Sequence, residues 1–515
     1  MSPTSEVVLP PPRIGPRRRI AIDVVASVNL VASLCVYLGL AALFPVGVAL
    51  WYGETVWPFV AAGGLMSGLG YAVTRLTARP ARRVGVREGF LVVAATWLAA
   101  AVFGALPYVF SGSEQLGHPV DALFEGMSGF TTTGATVVTD YDDLTRSLAM
   151  WRQFTQWLGG MGIIVLALAV LPRLRVGGRQ LLDSELPGPE IELSQRIRST
   201  ARRLWALYVA LTALEALALA TLGWLGIDDA MTPFEAVAHA FTTMPTGGFS
   251  TQARSVEAFS AAAQWIIIVF IVVAGANFAL AYRALVRRRP QVLVHDEEFR
   301  LYLALIAVAG VALIAQLWTY GIAEGEEAIR TGLFQVVTIV TSTGYASADF
   351  AAWPVLLLLT LFALMFVGGS AGSTSGGIKV VRHLLLGKVL RRELDQTVSP
   401  EVVMPIRLNG APVDERTLRA VAAFILLYVG LWAVGAAAIA LESAIGSVPI
   451  GTLDALAISA ASVGNVGPSF GITGPMGSYA PLGDVSKLTM VVLMWVGRLE
   501  IIPVVVLLSR HYWRT

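Results

Sequence analysis

The chain has 515 residues, of which 56% are apolar and only 14% charged. Several apolar stretches exceed the roughly 20 residues that cross a bilayer, which makes this a polytopic membrane protein and excludes the soluble globular classes. The net charge of +2 says little as a sum, because in a membrane protein the information lies in where the charges stand. The single cysteine, Cys35, excludes an intramolecular disulfide and any two-cysteine metal site or redox pair.

Residues 1–19 are rich in proline and end in Arg17-Arg18-Arg19, and the apolar stretch behind them runs past the length of a cleavable signal core. A disordered cytoplasmic tail and a retained first helix are expected. Hydropathy then predicts ten spanning helices, near 21–49, 56–76, 88–110, 149–172, 203–226, 262–287, 299–322, 352–389, 417–442 and 485–509. The connections between them alternate in charge. Arg75, Arg79, Arg82, Arg83 and Arg87 share one; Arg173, Arg175, Arg179, Arg196, Arg198, Arg202 and Arg203 the next. Arg283, Arg287, Arg288 and Arg289 follow, then Lys379, Arg382, Lys388, Arg391 and Arg392, with Arg510 and Arg514 at the end. The intervening connections carry Asp121, Asp140, Asp142 and Asp143, then Asp228 and Asp229, then Glu324, Glu326 and Glu327. Because basic loops stay inside, both termini are predicted to be cytoplasmic.

On the outer, acidic side four short runs end in glycine: Thr131-Thr132-Thr133-Gly134, Pro245-Thr246-Gly247, Ser342-Thr343-Gly344 and Asn465-Val466-Gly467. They recur roughly 100 residues apart, each behind an apolar segment too short to cross the membrane. Phe124-Glu125 precedes Gly134 at the same separation as Phe334-Gln335 precedes Gly344, which argues for duplication. Non-helical backbone at membrane depth is tolerated only inside protein or along a watery cavity, so the four turns should converge on one axis. Glycine lets successive carbonyl oxygens turn inward, and carbonyls replace the water around a desolvated K+. A half-helix entering from outside points its partly negative end at the bilayer centre, which also favours a cation.

The predicted fold is therefore an all-α polytopic membrane protein: four helix, pore-helix, filter, helix repeats around one central pore, plus two N-terminal transmembrane helices. Its divisions fall at 1–19 (tail), 20–80 (helix pair), 81–175 (repeat 1), 176–290 (cytoplasmic connection and repeat 2), 291–395 (repeat 3) and 396–515 (repeat 4). The candidate K+ ligands are Thr132, Thr133, Gly134, Pro245, Thr246, Gly247, Ser342, Thr343, Gly344, Asn465, Val466 and Gly467.

The run from Phe124 to Thr136, followed by Trp157-Leu158-Gly159-Gly160-Met161-Gly162-Ile163, resembles the first pore region of the Trk/Ktr/HKT superfamily of potassium transporters. Thr246-Gly247-Gly248-Phe249-Ser250 and Ser342-Thr343-Gly344-Tyr345 are similar to its second and third filters, and the extra N-terminal pair matches the Trk branch. The resemblance implies K+ uptake across a bacterial inner membrane, a homodimer in which each subunit conducts, and regulation by a cytosolic nucleotide-binding subunit. Segment 179–202 offers the best cytoplasmic surface for that regulator. Two departures stand out: Pro245 in the second turn, and a fourth turn without threonine, with Ile458 where the first repeat has Glu125. Such asymmetry favours moderate K+ over Na+ selectivity.

The eighth span is interrupted by Gly368, Gly369, Ser370, Gly372, Ser373, Thr374, Ser375, Gly376 and Gly377, followed by Lys379. Each interior glycine costs a helix about 1 kcal/mol against alanine, so a loop inside the membrane is expected over 368–377. It resembles the family's gate beneath the filter; close helix packing through small residues is the plainer use. Arg498, in the last span, is by that resemblance a positive barrier near the gate, or else half of a structural ion pair. Two residues apart on a helix, Arg498 and Glu500 should each find a partner elsewhere. His239 is expected to be a hydrogen-bonded pore-helix residue, Glu125 to bond the backbone, and Gly64 and Gly68 to mark a helix or subunit contact.

The basic connections meet anionic lipid rather than nucleic acid. No metalloenzyme or nucleophile motif is present, and no organic cofactor is expected in this chain. Since no spanning helix carries an obvious acid relay, a K+ pore is preferred to a secondary transporter of another small solute. Passive flow against proton or sodium symport stays open.

Overall fold

The computed structural model describes residues 22–78, 85–169, 190–401, 404–446 and 448–513. The expected tail, Arg79, Arg82, Arg83, Arg173, Arg175 and residues 179–189 of segment 179–202 lie outside those residues.

Four times the chain repeats one order: a long helix, a short helix, a turn, then a second helix. In the first repeat these are Val86–Ser111, Pro119–Phe130 and Arg146–Ala169. In the second they are Glu190–Trp224, Pro233–Thr243 and the pair Ala261–Ala274 and Phe278–Leu285. The third has Glu297–Thr319, Gly325–Val340 and then Val355–Leu364 and Val380–Val398. The fourth has Glu415–Ile445, Thr452–Gly464 and the pair Asp484–Arg498 and Ile502–Leu508. A two-stranded hairpin, Arg407–Leu408 with Ala411–Pro412, turns through Asn409-Gly410 ahead of the fourth repeat.

Among the described residues five helices are long and apolar enough to cross a membrane, or seven if each bent pair is one span. Three of the ten expected spans are not among the seven: 56–76, which forms the helix Trp57–Leu76, 149–172 and 352–389. The expected span at 149–172 is a helix studded with Arg152, Gln153 and Gln156, all buried. The span at 352–389 breaks after Leu364 and resumes at Val380, as its glycines require. The spans at 262–287 and 485–509 bend by 109° and 114°. The N-terminal pair packs Val24–Ala41 on Trp57–Leu76 through small residues: a Cβ on Gly39 would lie 2.8 Å from the Gly63 carbonyl, and one on Gly70 2.7 Å from that of Ala32. Among the described residues, Gly64 and Gly68 face open space and make no such contact.

All four short helices are built alike. Each carries an acid in its first turn, Asp121, Glu235, Glu326 with Glu327, and Asp454, where the positive end of the helix dipole stabilises it. Proline opens the first two, where its missing N–H costs nothing. Their C-terminal halves are buried, and the turns begin there.

Candidate functional site

Every turn makes the same backbone move. A non-glycine residue enters the left-handed region (Thr132, Thr246, Ser342 and Asn465, φ 51°, 52°, 55° and 53°), and two residues later a glycine does so (Gly134, Gly248, Gly344 and Gly467). This corrects the second turn by one residue: its glycine is Gly248, not Gly247, and Pro245 stands with Thr131, Thr341 and Gly464 rather than with the left-handed residues.

The four turns close into a ring. A Cβ placed on Gly134 would fall 3.3 Å from the carbonyl carbon of Gly247, and one on Gly248 2.9 Å from that of Thr343. On Gly344 it would fall 3.1 Å from that of Val466, and on Gly467 2.5 Å from the carbonyl oxygen of Thr133. Each turn thus packs its glycine on the carbonyl of the next, in the order one, two, three, four and back to one. The left-handed angle and the close approach together leave no room for a side chain.

The corrected register aligns Glu125, His239, Gln335 and Ile458, each nine residues before its ring glycine. The first three hold the strand that runs outward from the turn. Glu125 accepts from Thr136 Oγ1 at 2.9 Å, from the Val137 amide at 3.0 Å and from Arg152 Nε at 2.7 Å. Arg152 reaches on to the Ser250 carbonyl at 3.2 Å and stacks over Phe249, tying the first turn to the second. His239 bonds Ser250 Oγ and the Glu235 carbonyl, both at 2.9 Å. Gln335 donates to Ser347 Oγ at 3.4 Å. Ile458 has nothing to offer, and among the described residues Ser469 Oγ, the matching hydroxyl, meets no partner.

Beneath the ring lies the loop that interrupts the eighth span. The bend of the second repeat at Gly275–Asn277 receives it: Ser370 donates its amide to the Gly275 carbonyl at 2.9 Å, and the Phe278 amide donates to the Gly372 carbonyl at 3.1 Å. Glu298 accepts from the amides of Ala371 at 2.5 Å and Val381 at 3.2 Å. The loop meets three of the turns. Thr374 Oγ1 donates to the Met244 carbonyl at 3.0 Å, the Gly376 amide donates to Ser342 Oγ at 2.5 Å, and a Cβ on Gly376 would lie 2.9 Å from that of Asn465. Arg498 donates Nη1–H to the Thr374 carbonyl at 2.8 Å, and Glu500 pairs instead with Arg382, so the two residues do part ways. Arg498 Nε and Nη2 meet no partner among the described residues. Lys379 is buried and donates to the Ser375 carbonyl.

Sequence reasoning missed Arg152, Gln156 and Glu298, whose partners lie far along the chain, and Glu215. Glu215 is a fully buried carboxyl on the helix Glu190–Trp224, beside Thr243, and neither oxygen meets a donor at hydrogen-bonding distance among the described residues.

A ring of four glycine turns at the ends of inward-pointing half-helices, carried by apolar helices, defines a polytopic membrane protein of transport type. The family described as cation transport protein, TrkH, matches residues 60–514, and the chain belongs to it; it is not an enzyme. It is 36% identical over 499 residues to the Trk system potassium uptake protein TrkH of Halomonas elongata, covering 94% of this chain and 98% of that one. It is 38% identical over 432 residues to the Escherichia coli K12 protein of the same description, covering 83% and 86%. The crystal structure of the potassium transporter TrkH from Vibrio parahaemolyticus superposes with a TM-score of 0.86 at 33% identity, covering 96% of this chain and 100% of that one.

Proposed function

We propose that the chain takes up K+ across a bacterial inner membrane, with the ring of four turns as its selectivity filter. The observation that carries this reading is the closure of the ring, glycine on carbonyl, at the C-terminal ends of four half-helices. Backbone oxygens there substitute for the hydration shell of a cation, and the helix ends favour positive charge. The filter ligands are drawn from Thr132, Thr133, Gly134, Thr246, Gly247, Gly248, Ser342, Thr343, Gly344, Asn465, Val466 and Gly467. The loop of Gly368 to Gly377 acts as the gate, and Arg498, held on the Thr374 carbonyl, is a positive barrier in the ion's way. Both termini are cytoplasmic, the protein is a homodimer in lipid, and a cytosolic nucleotide-binding subunit regulates it; the relatives' description as parts of a Trk system supports such a partner.

The test is Rb+ uptake into proteoliposomes containing the purified protein, competed with K+ or Na+. Competition by K+ well ahead of Na+ supports the filter; equal competition overturns it. Arg498→Ala should raise uptake by about tenfold, the rate equivalent of about 1.4 kcal/mol of barrier. Unchanged or lower uptake in assembled protein removes Arg498 from the gate. A coupled reading has one observation in its favour, the lone buried Glu215, since an ionisable group at membrane depth is a functional candidate. Uptake that stops when the proton gradient is collapsed at constant K+ driving force would select it.

A further inference from the structure

In the first and third turns the residue before the ring glycine braces its own turn. Thr133 Oγ1 bonds Thr131 Oγ1 at 2.7 Å, and Thr343 Oγ1 bonds Thr341 Oγ1 at 2.7 Å. In the second turn those two places hold Pro245 and Gly247, which have no hydroxyl between them. Gly247 does not take a left-handed angle, so its backbone conformation does not demand glycine. A neighbour does. A Cβ on Gly247 would lie 2.5 Å from Cδ of Gln156 and 3.0 Å from its Nε2.

Gln156 sits on the helix that follows the first turn and is fully buried. Its Nε2 donates to the Gly247 carbonyl at 2.7 Å, while its Oε1 accepts from the Phe249 amide at 3.1 Å. A carbonyl needs a donor and an amide an acceptor, so the two partners fix which way the side-chain amide points. Gln156 therefore straddles Gly248, holding the backbone on both sides of the ring glycine. Among the described residues no side-chain donor reaches the corresponding carbonyls of Thr133, Thr343 or Val466, so one of the four ring carbonyls has a lone pair already engaged.

We infer that Gln156 is a selectivity-determining residue of the second turn: a positioning group, lent by the first repeat, that replaces the threonine pair the second repeat lacks. Glycine at 247 is the space that Gln156 occupies. The inference rests on the filter reading above. It assigns a role to Pro245 and Gly247 together, since a turn without an internal hydroxyl pair needs a brace from outside.

The test uses the full chain in proteoliposomes and reads the ratio of Na+ to K+ concentrations that half-inhibit Rb+ uptake. Gln156→Leu loses both bonds, and Gln156→Glu keeps the acceptor but sets a carboxylate against the Gly247 carbonyl. Each should lower the ratio by at least about threefold, the scale of one lost hydrogen bond. A wild-type ratio in either assembled variant overturns the inference. Gly344→Ser, in a turn that Gln156 does not touch, separates the two layers of argument. If it shifts the ratio while the Gln156 variants do not, the Gln156 role fails and the filter stands; if neither shifts, the filter reading itself fails. A second arm does not depend on those variants assembling. Gly247→Ala should lose uptake, and adding Gln156→Ala should restore part of it by clearing space for the new methyl group. A double variant no better than Gly247→Ala would show that Gln156 is not what demands glycine there.

Discussion

In the first turn the strand running outward from Gly134 hangs on a buried charge pair, while in the fourth the strand after Gly467 receives nothing from its own short helix. Glu125 and Arg152 are both fully buried and share Thr136 between them, whereas Ile458 leaves Ser469 unpartnered among the described residues. Both turns nevertheless make the same left-handed pair of backbone angles and both join the ring. The turn itself is therefore set by its glycine and its neighbours, and the side-chain brace adds stiffness rather than shape. The fourth turn is held from outside instead: Tyr479 Oη donates to the Gly467 carbonyl at 2.7 Å, and the Tyr479 amide donates to the Thr136 carbonyl at 2.9 Å. The unbraced turn leans on the braced one.

The largest effect should come from breaking the charge pair. Glu125→Gln strands the Arg152 guanidinium in a buried site, a loss of about 3 to 5 kcal/mol. Thermal unfolding followed by size-exclusion chromatography should show it, and adding Arg152→Gln should recover part of the loss because no uncompensated charge then remains. A single variant as stable as wild type would mean that the pair does not carry the first turn.

A smaller effect separates the two turns within the ring. Gly134→Ser and Gly467→Ser each force a side chain onto a neighbouring carbonyl at a left-handed position, a conformation that costs roughly 1 to 2 kcal/mol before the contact is counted. The braced turn cannot yield, so Gly134→Ser should shift K+ against Na+ competition for Rb+ uptake by about tenfold. The fourth turn can give way, and Gly467→Ser should shift it less. The reverse order would break the comparison.

Much of this architecture could be read from the amino-acid order because it is local. A glycine behind a short apolar segment, repeated four times, and a dense glycine and serine run in an apolar helix are patterns within a few residues of one another. The bends at Gly275–Asn277 and Leu499–Ile501 escaped although Gly275 and Asn277 mark the first and Glu500 and Pro503 flank the second, because one or two such residues do not interrupt a hydropathy average taken over a whole span. The register of the second turn escaped for a different reason: Gly247-Gly248 offers two glycines, and only backbone angles choose between them. With the wrong one chosen, His239 could not be aligned with Glu125. Arg152 on Ser250 and Gln156 on Gly247 join residues more than ninety positions apart, and no periodicity encodes such a bond. Of the segment expected to meet a regulator, residues 190–202 form the start of the helix Glu190–Trp224 and 179–189 lie outside the described residues.

The smallest effect is also the sharpest, because it compares two hydroxyls in matching places. Thr136 Oγ1 is bonded by Glu125 and by Arg152, the latter at 3.1 Å, and it accepts in turn from the Val138 amide at 3.0 Å. Thr136→Val keeps the shape, removes those bonds and leaves charged partners short of one, which should cost about 1 to 3 kcal/mol. Ser469 Oγ is buried without a partner among the described residues, so Ser469→Ala removes a polar atom that gains nothing from its position. Its unfolding midpoint should equal or slightly exceed that of wild type, since deleting an unsatisfied buried hydroxyl relieves a desolvation cost. If Ser469→Ala were as damaging as Thr136→Val, the fourth strand would have to be braced through that hydroxyl after all, by a water or by the conducted ion. The two ends of the ring would then be alike in stiffness, and the moderate selectivity expected from their difference would lose its cause.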